Sequence, residues 1–272
     1  METGASIDCI YDDRGRNILG QLGLMISLDP NELALDVGCG LGQLAIALST
    51  KYKLVVAADI SRDALKVVRD VAKKSDINNV CPILLDSVYL PFRDDLFGLI
   101  TCSGALEWVP FSHDSVSPEK LQVYALKEIR RILTKHGFFW LGIENRYSFN
   151  YLAGAVDHHS GLRFVTFLPR FVAKQYSLSI KKQPYKNYLY NYWELIKLLK
   201  NTGLTISKSL TAFPFYSNPK VLVNMDNSVD VGTAVMSSQL RFSLLYRSSV
   251  IVLSKLHLTR LFIPCFVILC SK

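Results

Sequence analysis

Short apolar runs alternate with amphipathic stretches across the first half of the chain, and this alternation limits the fold more than any other feature. Residues 33–37, 54–58, 81–85, 97–102 and 138–143 read as strands, with helices expected over 16–28, 41–50, 62–73 and 119–133. Brief uninterrupted apolar runs between helices mark strands buried on both faces, hence a parallel sheet. Strand and helix in alternation build a doubly wound α/β fold with right-handed crossovers. From 145 to 190 the rhythm breaks into a segment dense in aromatics and cations, Arg146, Arg163 and Arg170 among them. A helix is expected again at 193–201, closed by Gly203 as a C-cap, then a strand at 204–210. An irregular stretch follows at 212–228, a helical one at 230–258, and a last buried strand within 261–270. One domain over residues 1–272 is expected, with 145–190 and 212–258 inserted on the substrate side.

Half of the residues are hydrophobic and 20% are charged, enough to bury a full core and to exclude global disorder. Six cysteines, none in a Cys-x-x-Cys pair, predict packed, reduced thiols and a cytoplasmic chain. The first residues carry neither a basic stretch nor an apolar one, so no secretory leader is expected. The apolar tail is broken by Arg247, Lys255, His257 and Arg260, too short a run for a span of about 20 residues. At most peripheral contact with the inner membrane face is expected. A net charge of +8 suits an anionic partner as well as an ordinary basic surface.

Asp36-Val-Gly-Cys-Gly-Leu-Gly42 follows the first strand and opens the first helix after it. Glycines there let bare backbone approach a ligand, and the helix start offers free N–H groups. Two details set aside a dinucleotide. The third glycine falls at 42, with Gln43 where the dinucleotide pattern wants glycine, and Asp36 would repel a pyrophosphate yet suit an amino group. Asp59 at the second strand's tip can accept from a ribose diol, and Asp86 adds an acceptor after the third. Ligands of open α/β sheets bind at these strand ends.

These segments resemble the class I S-adenosylmethionine-dependent methyltransferases. Leu35 to Gly42 looks like their first motif, Asp59 like the ribose-binding acid, and Asp86 to Phe92 with Phe97 to Ile100 like the adenine-proximal segment and fourth strand. The resemblance spans roughly residues 30–145. It implies a Rossmann-like, mostly parallel seven-stranded sheet, S-adenosylmethionine as cofactor, and contacts from Asp36, Gly38, Cys39, Gly40, Gly42, Asp59, Ile60, Asp86, Ser87, Ser103 and Gly104. The sequence departs from the family at Gly98, where an Asp is common, and at Thr134 to Gly137, where a Lys-Pro-Gly-Gly turn is usual. Residues 144–147, 157–161, 168–170 and 192–195 also resemble methyltransferases encoded with bacterial glycan-assembly enzymes.

His158 and His159, beside Asp157, are the candidate bases, and Glu107 a base or hydrogen-bond partner. Trp108 could wall the methyl pocket, Tyr11 could close over the cofactor, and Arg146, Arg163 and Arg170 could clamp a phosphate. A metal on Asp157, His158, His159 and His113 fits no standard spacing, so none is expected. The acceptor is expected to be a small molecule or glycan, phosphorylated and lipid-linked ones included, methylated at oxygen. RNA is the alternative acceptor, DNA is not expected, and a non-catalytic cofactor-binding component is the alternative from another class.

Overall fold

The computed structural model describes residues 13–111, 113, 115–225, 231–234 and 244–272. Its elements run α1 (Arg14–Gly23), β1 (Leu33–Val37), α2 (Gln43–Leu48), β2 (Leu54–Asp59), α3 (Arg62–Lys74), β3 (Val80–Leu84), β4 (Phe97–Ser103), α4 (Pro118–Ile132) and β5 (Leu133–Glu144). The second half adds α5 (Phe149–Leu152), the small hairpin β6 (Val156–Asp157) and β7 (Leu162–Arg163), α6 (Arg170–Lys181) and α7 (Tyr192–Asn201). It ends with β8 (Thr205–Phe213), β9 (Val221–Asn224), α8 (Leu244–Lys255), α9 (Thr259–Phe262) and β10 (Cys265–Ser271).

Local chemistry sets several of these boundaries. Ser61 Oγ accepts from the Ala64 amide to start α3, Asp63 lies in its first turn, and Lys73 and Lys74 in its last, matching the helix dipole. Asn191 and Glu194 form a reciprocal capping box at the start of α7. Alternate residues along each strand then enter opposite layers. Leu35, Ile100, Phe139 and Ile268 pack toward the layer that holds Leu126, Ile129 and Leu195. Ala34, Leu99, Trp140 and Val267 pack toward Ile18, Leu22, Leu44 and Leu48.

The expected doubly wound α/β sheet is present, with eight strands in the order β3-β2-β1-β4-β5-β10-β8-β9 instead of seven. Strands β1 to β5 pair in parallel, whereas β10 runs antiparallel between β5 and β8. The added strand is β9, which pairs with the end of β8 where an irregular stretch was expected. Strand β5 also starts at Leu133, and residues 134–137 form an irregularity within it, since Phe97 pairs with Leu133 and Leu99 with Phe138. The 145–190 insertion is ordered by its own short elements. After β3 the chain crosses β1 and β2 to reach β4, so the topology reverses between β1 and β4 and opens a crevice at their carboxyl ends.

Gly98 has a local reason. A Cβ built there would lie 1.7 Å from Glu32 Oε2, so a carboxylate from the loop ahead of β1 fills the space that an Asp at 98 would need. Gly98→Asp should therefore destabilise the chain by about 1–3 kcal/mol through overpacking, and adding Glu32→Ala should recover most of the loss. Thermal melts of the single and double variants check this; a Gly98→Asp chain that melts like wild type would refute it.

Candidate active site

The glycine loop turns over the ends of β1 and β2. Gly38 and Cys39 donate their amides to the Ala58 carbonyl at 2.8 and 3.0 Å, and Gly40 donates to Asp59 Oδ2 at 2.9 Å. Asp59 Oδ1 accepts from the Ser61 amide at 2.8 Å, so one carboxylate ties the loop to the start of α3. The three loop glycines all have positive φ, for different reasons. A Cβ at Gly42 would meet Val68 Cγ2 at 2.7 Å and one at Gly38 would meet Ala105 Cβ at 2.2 Å, whereas one at Gly40 would enter open space.

That open space is a cavity of about 520 Å³. Of the expected cofactor residues, Gly38, Gly40, Asp59, Ile60, Asp86, Ser87 and Gly104 line it. Trp108 joins them, with apolar walls from Val37, Leu106 and Ile129. Bare backbone at Gly38 and Gly40, the carboxylates of Asp59 and Asp86, and apolar walls together suit a ligand that is a nucleoside joined to an amino acid. Asp86 is steadied by the Val88 amide at 3.1 Å and has His113 Nε2 3.2 Å away.

Four expected contacts are not in the wall. Gly42 is a packing glycine, the N-cap of α2 in left-handed conformation. Cys39 points its Sγ at the Gly40 carbonyl, and burial pushes its thiol far above the ordinary range. Ser103 is buried, its Oγ near the Cβ position of Gly142 and its carbonyl accepting from Arg14. Asp36 is 3% exposed and accepts from Thr101 Oγ1 at 2.7 Å, and burial pushes its pKa up to about 6. Its carboxylate lies behind the loop. Tyr11 lies outside the described residues.

Next to the cavity a second group of side chains comes together from distant segments. Glu107 sits in the 3₁₀ turn Leu106–Phe111 after β4, fully buried. Glu144 ends β5 and accepts from the Tyr151 hydroxyl. Asp157, 1% exposed, accepts from His159 Nδ1 at 2.8 Å and from Ser160 Oγ at 2.5 Å. His159 Nε2 faces Glu107 Oε1 at 3.8 Å, and His158 Nε2 lies 2.5 Å from Glu144 Oε1. The Tyr216 hydroxyl donates to Glu107 Oε1 at 3.4 Å, and burial, then the Glu107 charge, holds it well above the ordinary phenol range. Burial opposes a charge on His159, but Asp157 and Glu107 outweigh it and push its pKa up to about 10. His159 is thus an imidazolium at neutral pH, with its side chain 1% exposed, whereas that of His158 is 62% exposed.

The structure joins His158, His159 and Glu107 and adds Glu144, Tyr151 and Tyr216, which the sequence reading omits. A signal existed for Glu144: like Asp59, it is an acid ending an apolar strand. The arginines serve elsewhere. Arg146 donates to the Thr166 and Leu168 carbonyls at 2.7 and 2.6 Å, Arg163 to that of Gly154, and Arg170 to that of Leu189 at 2.8 Å. These internal ties replace the expected phosphate clamp.

Residues 35–141 match the family model described as a methyltransferase domain. The chain is 30% identical over 123 residues to the uncharacterized methyltransferase YcgJ of Bacillus subtilis, covering 44% of this chain and 45% of that one. It is 31% identical over 121 residues to the methyltransferase GfsG of Streptomyces halstedii, covering 44% and 43%. The chain thus spans less than half the length of these relatives. Its fold also resembles that of geranyl diphosphate C-methyltransferase from Streptomyces coelicolor, solved with S-adenosyl-L-homocysteine. The TM-score is 0.57 at 11% identity, over 98% of this chain and 81% of that one. The glycine loop, the strand-end carboxylates and the cavity all lie in or beside the segment over residues 35–141 that matches the methyltransferase-domain model.

Proposed function

We propose that the chain transfers a methyl group from S-adenosylmethionine to an oxygen of a small-molecule or glycan acceptor. One observation carries this reading. Trp108 belongs to the cavity wall and its ring lies 5.0 Å from that of His159, so the histidine–carboxylate cluster abuts the cofactor cavity. When bound, the cofactor supplies a methyl carbon already activated by its sulfonium. The chain must hold the acceptor in line with that carbon and take a proton from a hydroxyl. His158 suits the second task, being exposed and backed by the buried Glu144. His159 is locked between Asp157 and Glu107 with its proton held, so it orients and does not abstract. The resemblance of residues 144–147 and 157–161 to glycan-associated methyltransferases supports a glycan within the acceptor class. The internal ties of Arg146, Arg163 and Arg170 remove support for a phosphate-bearing one.

Calorimetry should show S-adenosylmethionine binding and no NADH binding. Asp59→Ala, which deletes the expected ribose acceptor, should weaken it by about 10–100-fold. Binding of NADH alone would overturn the reading. His158→Ala should lower turnover by about 100-fold or more while cofactor affinity holds; unchanged turnover in a methyl-transfer assay would remove His158 from the chemistry.

Asp36 makes a separate prediction. Its pKa of about 6 against an ordinary 3.8 means that the folded chain takes up this proton before the unfolded chain does. Stability therefore rises as pH falls from about 6 toward 4, and at neutral pH the whole ionisation cost, about 3 kcal/mol, is present. Asp36→Asn keeps an acceptor for Thr101 without the charge. It should melt several degrees higher at pH 7.5 and lose its share of the pH dependence between 4 and 6. A lower melting temperature at pH 7.5 would contradict this account.

A further inference from the structure

We infer that Glu144, His158 and His159 form a binding site for one divalent transition-metal ion. One possible ligand atom from each of the three lies within 4.8 Å of the others. Two imidazoles and one carboxylate are a donor set for first-row divalent ions, with coordination positions left open. Ligand distances of about 2.0–2.2 Å would fit once Glu144 and His158 move slightly apart from their present direct contact.

The surroundings favour this role on grounds separate from proximity. Glu144 is 1% exposed, and its Oε1, though 2.5 Å from His158 Nε2, accepts no aligned hydrogen bond. Its other oxygen is held by Tyr151, which fixes the carboxylate and leaves Oε1 for an ion. His159 is oriented in the same manner: Asp157 takes Nδ1 at 2.8 Å, and an ion would displace the proton that Nε2 otherwise turns toward Glu107. A carboxylate behind a ligating histidine is a recurring device that sets its tautomer and raises its basicity. Glu107 Oε2 is a further buried oxygen without a hydrogen-bond partner, beside Glu107 Oε1, which faces His159 Nε2 at 3.8 Å. Three carboxylates around two histidines leave an excess of negative charge that a cation would neutralise. The exposed edge of His158 gives the ion a path from solvent.

The composition of the site differs from the grouping weighed in the sequence. His113 sits against Asp86 at the cofactor end, and Asp157 stands behind His159 instead of facing the ion. The donor missing from the sequence pattern is Glu144. The inference rests on these residues alone and does not depend on methyl transfer.

The test titrates Zn²⁺ and Mn²⁺ into the metal-stripped full chain by calorimetry and follows Co²⁺ binding by visible absorption. One saturable equivalent per chain is expected, with ligand-field bands for Co²⁺. Glu144→Gln and His158→Ala should each abolish saturable binding, and Asp157→Asn should weaken it by about 10–100-fold. His136→Ala, at the far end of β5, should bind as wild type does. His158→Gln is the second variant should the alanine chain melt early. No saturable binding by wild type, or equal binding by wild type and the Glu144 and His158 variants, would overturn the proposal. Methyl transfer by metal-stripped protein would leave the proposed function standing whatever the titration shows, so the two can fail separately.

Discussion

Three buried carboxylates share one small region, and much of the second half of the chain is organised by how their charge is answered. Glu107 comes from the turn after β4, Glu144 from the end of β5, and Asp157 from the insertion. Like charges that close disfavour one another unless cations stand between them. His159 supplies one from the insertion, His158 stands against Glu144, and Tyr216 closes the group from the turn between β8 and β9. Breaking such a set by deleting one partner leaves a buried charge unanswered, at about 3–5 kcal/mol. The insertion, the sheet edge and the β8–β9 hairpin are therefore held in register by electrostatics as well as by apolar packing.

That coupling explains which parts were legible in the sequence. The glycine loop is local: Gly38, Gly40, Asp59 and Asp86 stand at strand ends that the apolar runs already mark, and all four line the cavity. Gly42 and Asp36 belong to the same motif but act on Val68 and Thr101, because a motif records which residues occur together and not which of them face the ligand. Strand β9 carries too few residues for a period to show, and β5 begins early because Leu133 pairs with Phe97 ahead of an irregularity, the regular pairing resuming at Phe138. Tyr216 and Glu107 meet across more than a hundred positions, a closeness that no periodicity encodes.

The insertion illustrates the same limit with charge. Its arginines read as ligands for an anion because they are cationic and set among aromatics. The fold instead uses them to satisfy carbonyls that its short irregular elements would otherwise bury without partners, as Arg146 does for Thr166 and Leu168. Arg170 adds a cation–π contact over Tyr188 at 3.3 Å, and burial lowers its pKa by disfavouring its charge. A segment with few regular hydrogen bonds needs side-chain donors to become rigid, and arginine supplies several from one planar group.

The two ends of the site thus differ in kind. At the cofactor end the carboxylates of Asp59 and Asp86 lie on the cavity wall, where they can accept hydrogen bonds from a ligand. At the other end Glu107, Glu144 and Asp157 are shut away, and His158 is exposed. Under the proposed function, a chain with a net charge of +8 presents carboxylates to its cofactor and a carboxylate-backed imidazole to its acceptor. On that proposal the acceptor is recognised by a hydroxyl and by shape, since Arg146 and Arg170 are engaged with backbone. Acceptor choice on this proposal passes to the segment that carries His158, residues 145–190.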